Sequence, residues 1–502
     1  MDFKKLKSGS DVRGIAVGDH AVLTAETARI LGYVFAKRLS EIKNTPVSKI
    51  GVALGRDSRV SGELLLNAAA EGIVAAGATA VDYGMCTTPA MYMAILTEGF
   101  NPDGSIMITA SHHPWNLNGL KFFEQDGGIG FDELDLLLDA AQNCTCSDWK
   151  ANGKLIHTPF LPTYQKHLEK IMISTINPNV QKPLSGLHVV VDAGNGAGGF
   201  YAKMLEHLGA NIEGSQFLEP DGTFPNHIPN PENQQAMASV SNAVYKNKAD
   251  LGVIFDADCD RAAIVDQNGK EINRNRLIAL ISAILLENNA GATIVTDSVT
   301  SSGLADFITV HGGIHYRYKR GYRNVIDEAI RLNQLGMDCP LAIETSGHAA
   351  LRDNHFLDDG MYLVTLLIAK AMLMKQKGQA LSSLIDSLRE PVESTEIRLP
   401  VMESDFAPCA RGLIEHVLHY ADSHPDWHVA PDNREGVRIS FDINEKTNAA
   451  WFLLRLSVHD PVMPLNAESD VEGGVRYVLT KLADALLETN GVDLTPLKKA
   501  IE

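Results

Sequence analysis

Two short apolar runs, Leu251-Gly252-Val253-Ile254-Phe255 and Ala262-Ala263-Ile264-Val265, stand on either side of the segment Asp256-Ala257-Asp258-Cys259-Asp260-Arg261. Runs of that length, rich in branched side chains, are too short for helices and read as buried strands. The chain must therefore fold so that three carboxylates, spaced two residues apart, arrive together at the end of a buried sheet. Like charges at that spacing repel unless a cation lies among them. Mg²⁺ is a small hard ion that takes oxygen ligands, usually a few carboxylates together with phosphate oxygens or water. Asp256, Asp258 and Asp260 are the expected ligands.

Other uses of such a loop fit less well. A calcium EF-hand needs glycine at the sixth loop position and glutamate at the twelfth, where this chain has Arg261 and Gln267, and its flanks would be helices. A haloacid-dehalogenase-type phosphatase also begins with Asp-x-Asp after a strand, but carries Thr or Val where Asp260 stands. A merely solvated acidic turn would not be bracketed so closely by apolar strands.

A second segment supplies a nucleophile. Ser105-Ile106-Met107-Ile108-Thr109 reads as a buried strand, and His112 to Asn118, with a proline and two asparagines, cannot continue it, so Ser111 falls on a strand-end loop. Lys121 follows ten positions later. A third segment, Glu344-Thr345-Ser346-Gly347-His348, follows the apolar Leu341-Ala342-Ile343. Glutamate and serine there can exchange hydrogen bonds with neighbouring sugar hydroxyls while Gly347 lets the backbone approach a ligand.

Together these segments resemble the α-D-phosphohexomutase family, enzymes that move a phosphoryl group between the 1- and 6-oxygens of hexoses. The family's T-[AG]-S-H-N-P loop matches Thr109 to Pro114 with His113 in the asparagine place, and its N-G-x-K matches Asn118 to Lys121. Its D-G-D-[AG]-D-R loop matches Asp256 to Arg261, and its G-E-x-S-G-H loop matches Ile343 to His348, with Ile343 replacing glycine. Fainter similarities are Asp11 to Ile15, Gly55-Arg56-Asp57-Ser58-Arg59, Thr88-Pro89 and Asp221 to Pro225. The resemblance implies that Ser111 is a phosphoserine that also approaches the metal. It further implies that Arg13 contacts its phosphate, that Lys121 is a general acid/base or electrostatic partner, and that Arg261 lies near the reacting phosphate. His112 would assist proton transfer near neutral pH. Glu344, Ser346 and His348 would bind substrate.

The match fails at one loop. The family's R-P-S-G-T-E-P phosphate loop corresponds to Arg455-Leu456-Ser457-Val458-His459-Asp460-Pro461, and a later family arginine falls on Pro464. Arg455, Ser457 and His459 remain candidate substrate contacts, with Lys319 and Arg320, beside Arg323, as replacement positive charge. A mutase must keep its sugar bisphosphate intermediate while it turns round, and a reshaped clamp favours release. Loops of the form R-L-S-x-H-D-P resemble a branch of the family for which glucose 1,6-bisphosphate synthesis is implied, with fructose 1,6-bisphosphate a plausible donor. The expected substrates are hexose phosphates and sugar bisphosphates, and the alternative activity is an ordinary phosphoglucomutase/phosphomannomutase.

Composition agrees. A chain of 502 residues is long for one domain, and its net charge of −18 argues against nucleic acid or an anionic membrane as partner. Six cysteines lack zinc-type spacing. The start carries no signal-peptide core, and no apolar run approaches ~18 residues. A soluble cytoplasmic protein, monomer or homodimer, is expected. Short apolar strands alternate with amphipathic stretches, the pattern of an α/β fold. By analogy with the family this becomes three related α/β domains with mixed sheets and a smaller C-terminal α+β domain. The expected divisions are residues 1–160 (phosphoserine), 161–270 (metal), 271–392 (sugar) and 393–502 (C-terminal phosphate binding). A remote rival is a nicotinamide oxidoreductase, since Gly194-Asn195-Gly196-Ala197-Gly198-Gly199 follows a strand as G-x-G-x-x-G and Glu219 lies beyond it.

Overall fold

The structure, a computed structural model, describes residues 2–145, 149, 152–403, 405–457, 460–487 and 489–502. It divides into two compact units, Met1–Leu277 with Ser346–Leu384, and Ile278–Thr345 with Ile385–Glu502. The architecture is that of three α/β layers with mixed sheets, followed by a C-terminal domain built on an antiparallel sheet.

In the first unit, strand Gly51–Arg56 lies parallel to Thr79–Met85 on one side and Gly104–Ile108 on the other. Strand Leu117–Glu124 then returns antiparallel beside Gly104–Ile108 and pairs on its far edge with Asp11–Ile15. The return begins earlier than the sequence implies. Leu117 and Asn118 already pair with Ile15 and Gly14, so the turn after Ser111 closes by Asn116, and Asn118 and Lys121 are strand residues. A loop reading of two asparagines loses here to pairing on both sides of the strand.

Helices Ala25–Ile42 and Gly62–Ala75 pack together over this sheet. The first is started by a capping box in which Thr24 and Thr27 satisfy each other's backbone N–H groups. The two helices meet at glycines: a Cβ on Gly72 would lie 1.9 Å from the Arg29 carbonyl oxygen, and one on Gly32 would lie 2.3 Å from that of Ala69. Alanine would improve helix propensity by about 1 kcal/mol. The obstruction is backbone and cannot swing away, so the helices must separate. Gly72→Ala is expected to destabilise the chain by about 1–3 kcal/mol, read as a lower thermal midpoint; an unchanged or higher midpoint would contradict this packing.

The second sheet of this unit is a hairpin, Leu251–Phe255 against Ala262–Asp266 with Phe255 opposite Ala262, flanked by the parallel strand Val189–Asp192. Every residue of both hairpin strands is buried, which accounts for their unbroken apolar sequence. The acidic segment is the connection of that hairpin.

In the second unit, strand Thr293–Thr296 lies parallel to Ile314–Arg317 and Leu341–Ile343. The C-terminal sheet runs in the order Glu393–Pro400, Val462–Ser469, Lys446–Leu454, Val437–Ile443, His428–Val429, all antiparallel. Helices Phe406–Asp422 and Gly474–Ala485 share its core through Leu413, Val417, Val478 and Leu482. Among the described residues no helix is long and apolar enough to cross a membrane.

Candidate active site

Strand Gly104–Ile108 delivers Ser111 three residues past its end, and the loop there is held under strain. Ser111 adopts a left-handed backbone, φ 51°, uncommon for a residue with a Cβ. Its N–H donates to Thr109 Oγ1 at 2.9 Å, and the Thr109 hydroxyl donates to Asp57 Oδ2 at 2.7 Å. Arg59 completes the support from below. One terminal nitrogen donates to the carbonyls of Pro114 and Leu117, both at 2.8 Å, and the other to those of Ser111 at 2.5 Å and His113 at 2.7 Å. Arg59 and Asp57 are both buried, with Arg59 Nε 3.3 Å from Asp57 Oδ2. Burial pulls the arginine below its ordinary range and pushes the aspartate above its own, each opposed by the other's charge.

The hairpin connection brings its carboxylates to this loop. Ser111 Oγ donates to Asp256 Oδ2 at 2.7 Å. Asp256, Asp258 and Asp260 are buried, and one oxygen from each lies within 4.8 Å of the others. Thr88 Oγ1 donates to Asp258 Oδ2 at 2.5 Å. Lys121 Nζ is 3.1 Å from Asp258 Oδ2 and pairs closely with Asp260. Burial, then the charges of Asp260 and Asp258, push Asp256 far above the usual carboxylate range. Burial would raise Asp260 too, but the charges of Lys121 and then Arg261 hold it well below.

The cluster has the donor set of a hard divalent cation. Asp258 Oδ1 and Asp260 Oδ1 are buried and accept no hydrogen bond among the described residues, a costly arrangement for anionic oxygens without a cation. Like-charge repulsion at Asp256 points the same way. Such an all-oxygen donor set suits a hard divalent cation better than a softer metal.

Arg261 closes the hairpin connection. Its Nε donates to His348 Nε2 at 3.1 Å, which leaves the ring proton on Nδ1 to meet Ser346 Oγ at 3.0 Å. Ser346 and His348 of the sequence-predicted sugar loop thus belong with the acidic loop in the first unit. His112 Nδ1 lies 3.3 Å from Ser111 Oγ, and its ring stacks on His113 with centroids 4.6 Å apart. Burial, then Arg261, keeps His112 neutral by pushing its pKa far down. Arg13 donates to His113 Nε2 at 2.7 Å and to Asp11 Oδ2 at 3.0 Å, so it stands beside the serine loop through a histidine. His113 is pushed down to about 4, mainly by burial and then by Arg13.

The remaining expected residues lie in the second unit. Glu344 accepts from the Gly321 N–H at 2.6 Å, and the Arg320 N–H donates to Glu435 Oε2 at 3.1 Å. Lys319 is exposed, with its ammonium 6.0 Å from the Tyr318 ring centroid. Arg455 is buried just after strand Lys446–Leu454, and its N–H donates to the Pro464 carbonyl at 3.1 Å. Ser457 Oγ accepts from the Asp460 N–H at 3.2 Å. His459 and Val458 lie outside the described residues.

Sequence reasoning gave no role to Asp57, Arg59 or Thr88. Their segments, Gly55 to Arg59 and Thr88-Pro89, stand out in the sequence, but only the fold shows what they touch. The glycine-rich turn Gly194 to Gly199 resolves against dinucleotide binding. A Cβ on Gly196 would lie 2.7 Å from the Ala257 backbone, and one on Gly199 would lie 1.9 Å from the Leu218 carbonyl oxygen. The space these glycines open is filled by the chain's own backbone, including the acidic loop.

The models for domains I, II and III of phosphoglucomutase/phosphomannomutase, each described as an alpha/beta/alpha domain, match residues 4–145, 162–269 and 273–392. The chain belongs to the phosphoglucomutase/phosphomannomutase family. A phosphomannomutase of Vibrio cholerae is 32% identical over 83% of this chain and 85% of its own length. A phosphomannomutase/phosphoglucomutase of Pseudomonas aeruginosa is 29% identical over 95% of this chain and 94% of its own. The crystal structure of a phosphoglucomutase/phosphomannomutase family protein from Burkholderia thailandensis superposes with a TM-score of 0.80, at 27% identity, covering 97% of this chain and 98% of that one.

Proposed function

We propose that this chain transfers phosphoryl groups on hexose phosphates through a phosphoserine at Ser111, and that its principal product is glucose 1,6-bisphosphate made from a bisphosphate donor and a glucose monophosphate. The observation that carries the phosphoserine is the position of Ser111 Oγ, 2.7 Å from a buried carboxylate cluster with unsatisfied oxygens. In the first half-reaction Ser111 Oγ forms a bond to the donor's phosphorus as the bond from phosphorus to the sugar oxygen breaks. The serine proton passes to Asp256 Oδ2, to which Ser111 Oγ already donates at 2.7 Å and whose proton affinity is raised by burial and the charges of Asp260 and Asp258, while His112 stays neutral beside it, and the departing oxygen takes up that proton in turn. In the second half-reaction an acceptor hydroxyl attacks the phosphoserine, the bond from phosphorus to Ser111 Oγ breaks, and the acceptor's proton ends on Ser111 Oγ.

Phosphoryl transfer needs positioning and neutralised charge more than covalent chemistry. Lys121 and Arg261 supply fixed positive charge, and Arg13 orders the loop through His113. Asp256, Asp258 and Asp260, with Ser111 adjoining, would hold Mg²⁺, which when bound supplies Lewis-acid polarisation of the phosphoryl oxygens. Glu344, Ser346 and His348 are the proposed sugar contacts, and Lys319, Arg320, Arg455, Ser457 and His459 the proposed phosphate contacts. On this reading residues 1–160 present the serine, 161–270 the metal, 271–392 the sugar loop and 393–502 the second phosphate site.

The synthase reading is supported by the C-terminal loop, where the family's second arginine is replaced by Pro464, a strand residue opposite Arg398. The names of the relatives favour the alternative, a mutase interconverting hexose 1- and 6-phosphates. Phosphorus NMR after adding glucose 6-phosphate with fructose 1,6-bisphosphate separates them. Accumulating glucose 1,6-bisphosphate is the expected result. Glucose 1-phosphate formed with only catalytic bisphosphate would establish the mutase instead, and no transfer to either would overturn the phosphoserine reading.

A further inference from the structure

In the second unit a carboxylate occupies hydrogen-bond donors suited to a phosphate. Glu435 Oε2 accepts from the Ser298 hydroxyl and, at 3.1 Å, from the Arg320 N–H. The chain just after Glu435 packs on Arg455, since a Cβ on Gly436 would lie 2.8 Å from Arg455 Cα, and burial pulls the Arg455 guanidinium below its ordinary range. Of the charges opposing that pull, Glu435 is the strongest. Arg455 is only 7% exposed, and its Nε is buried and donates to nothing among the described residues. Such a group calls for an anion. Glu435 also borders a cavity of about 540 Å³, together with Leu456 and Ser457, which follow Arg455, and with Phe406 and Arg411.

Glu435 is also held in place. Its neighbour Arg434 lies over the Tyr316 ring, 3.8 Å from the centroid, and donates to the Arg317 carbonyl. Asp432 pairs with Arg317 at 2.6 Å, and Asn433 Nδ2 donates to the Gly436 carbonyl at 3.1 Å. A carboxylate fixed in this way is not free to swing away from an incoming anion.

We propose that Glu435 is a resident counter-anion of the Arg455 site, competing with a sugar phosphate for the same donors and thereby hastening release of a bound bisphosphate. This rests on the phosphoryl-transfer reading and deepens it: the missing second arginine weakens the grip on the phosphate, and a built-in carboxylate weakens it further. Removing the charge while keeping the side chain's shape should tighten binding, because repulsion between a carboxylate and a phosphate in a partly buried site changes affinity by about tenfold or more. A purely structural role predicts the opposite, since loosening the Ser298–Arg320 contacts would disorder the site and weaken binding.

The test uses calorimetry with glucose 1,6-bisphosphate on the full chain carrying Ser111→Ala, which blocks turnover. Adding Glu435→Gln is expected to tighten binding about tenfold, and Arg455→Gln to weaken it. In the catalytically intact chain, Glu435→Gln should shift the products seen by phosphorus NMR from free bisphosphate towards hexose monophosphate. Should the glutamine variant fail to fold, as judged by its thermal melt, Glu435→Ala carries the same expectation. Unchanged or weaker binding overturns the proposal while leaving the phosphoserine reading intact if wild-type turnover persists. Absence of bisphosphate binding in the Ser111→Ala parent, with no transfer by the wild type, overturns both.

Discussion

Ser111→Ala lowers phosphoryl transfer by about four orders of magnitude or more, the scale expected when a covalent nucleophile is removed, while glucose 6-phosphate still binds within a few-fold of the parent. The backbone gives the variant no reason to collapse. Serine and alanine both carry a Cβ, so the left-handed conformation at φ 51° costs either residue much the same. The Ser111 N–H keeps its bond to Thr109 Oγ1, and the loop carbonyls keep Arg59. What disappears is the hydroxyl beside Asp256 and His112. Two measurements check this: product formation by phosphorus NMR, and intact-mass analysis of protein recovered during turnover. One phosphate per wild-type chain and none on the variant is the expected pattern. Turnover surviving the substitution would remove the phosphoserine from the mechanism.

The chemistry was legible where it lies in short contiguous segments. Asp256 to Arg261 could be read because apolar strands frame it, and that framing is the hairpin with Phe255 opposite Ala262. Ser111 could be read because a strand had to end before Pro114. Residues whose roles arise through the fold could not be read. Arg59 lies more than fifty positions from the carbonyls it binds, and no local periodicity marks a side chain that caps a distant turn. Thr88 meets Asp258 across 170 positions. Glu435 is ordinary in sequence and becomes unusual only beside Ser298 and Arg320. The glycine-rich turn carried a dinucleotide-binding pattern only as a remote rival, and here the space that could admit a pyrophosphate admits the backbone of Ala257. Lys121 shows both sides: its spacing from Ser111 drew attention, but its partners follow from strand pairing, which aims it at Asp258 and Asp260.

Arg59→Leu is expected to destabilise the chain by about 3–5 kcal/mol, the cost of leaving one member of a buried ion pair without its partner. Asp57 is fully buried and already pushed up by burial; without Arg59 only the Thr109 hydroxyl and the Arg59 backbone N–H would remain to hold its charge. The carbonyls of Ser111, His113, Pro114 and Leu117 would lose the donor that gathers them. Arg59→Lys should recover little, because an ammonium has three donors on one atom and cannot span four carbonyls that a planar guanidinium reaches from two. Neutralising both partners in Asp57→Asn/Arg59→Leu should recover part of the stability, since it removes the stranded charge, but not the activity, since the turn that presents Ser111 stays without its cap. Thermal melts of the four proteins, followed by kcat and KM for each that remains folded, separate these effects. A single Arg59→Leu variant that melts with the wild type and keeps its kcat would show that the turn holds Ser111 without help from below.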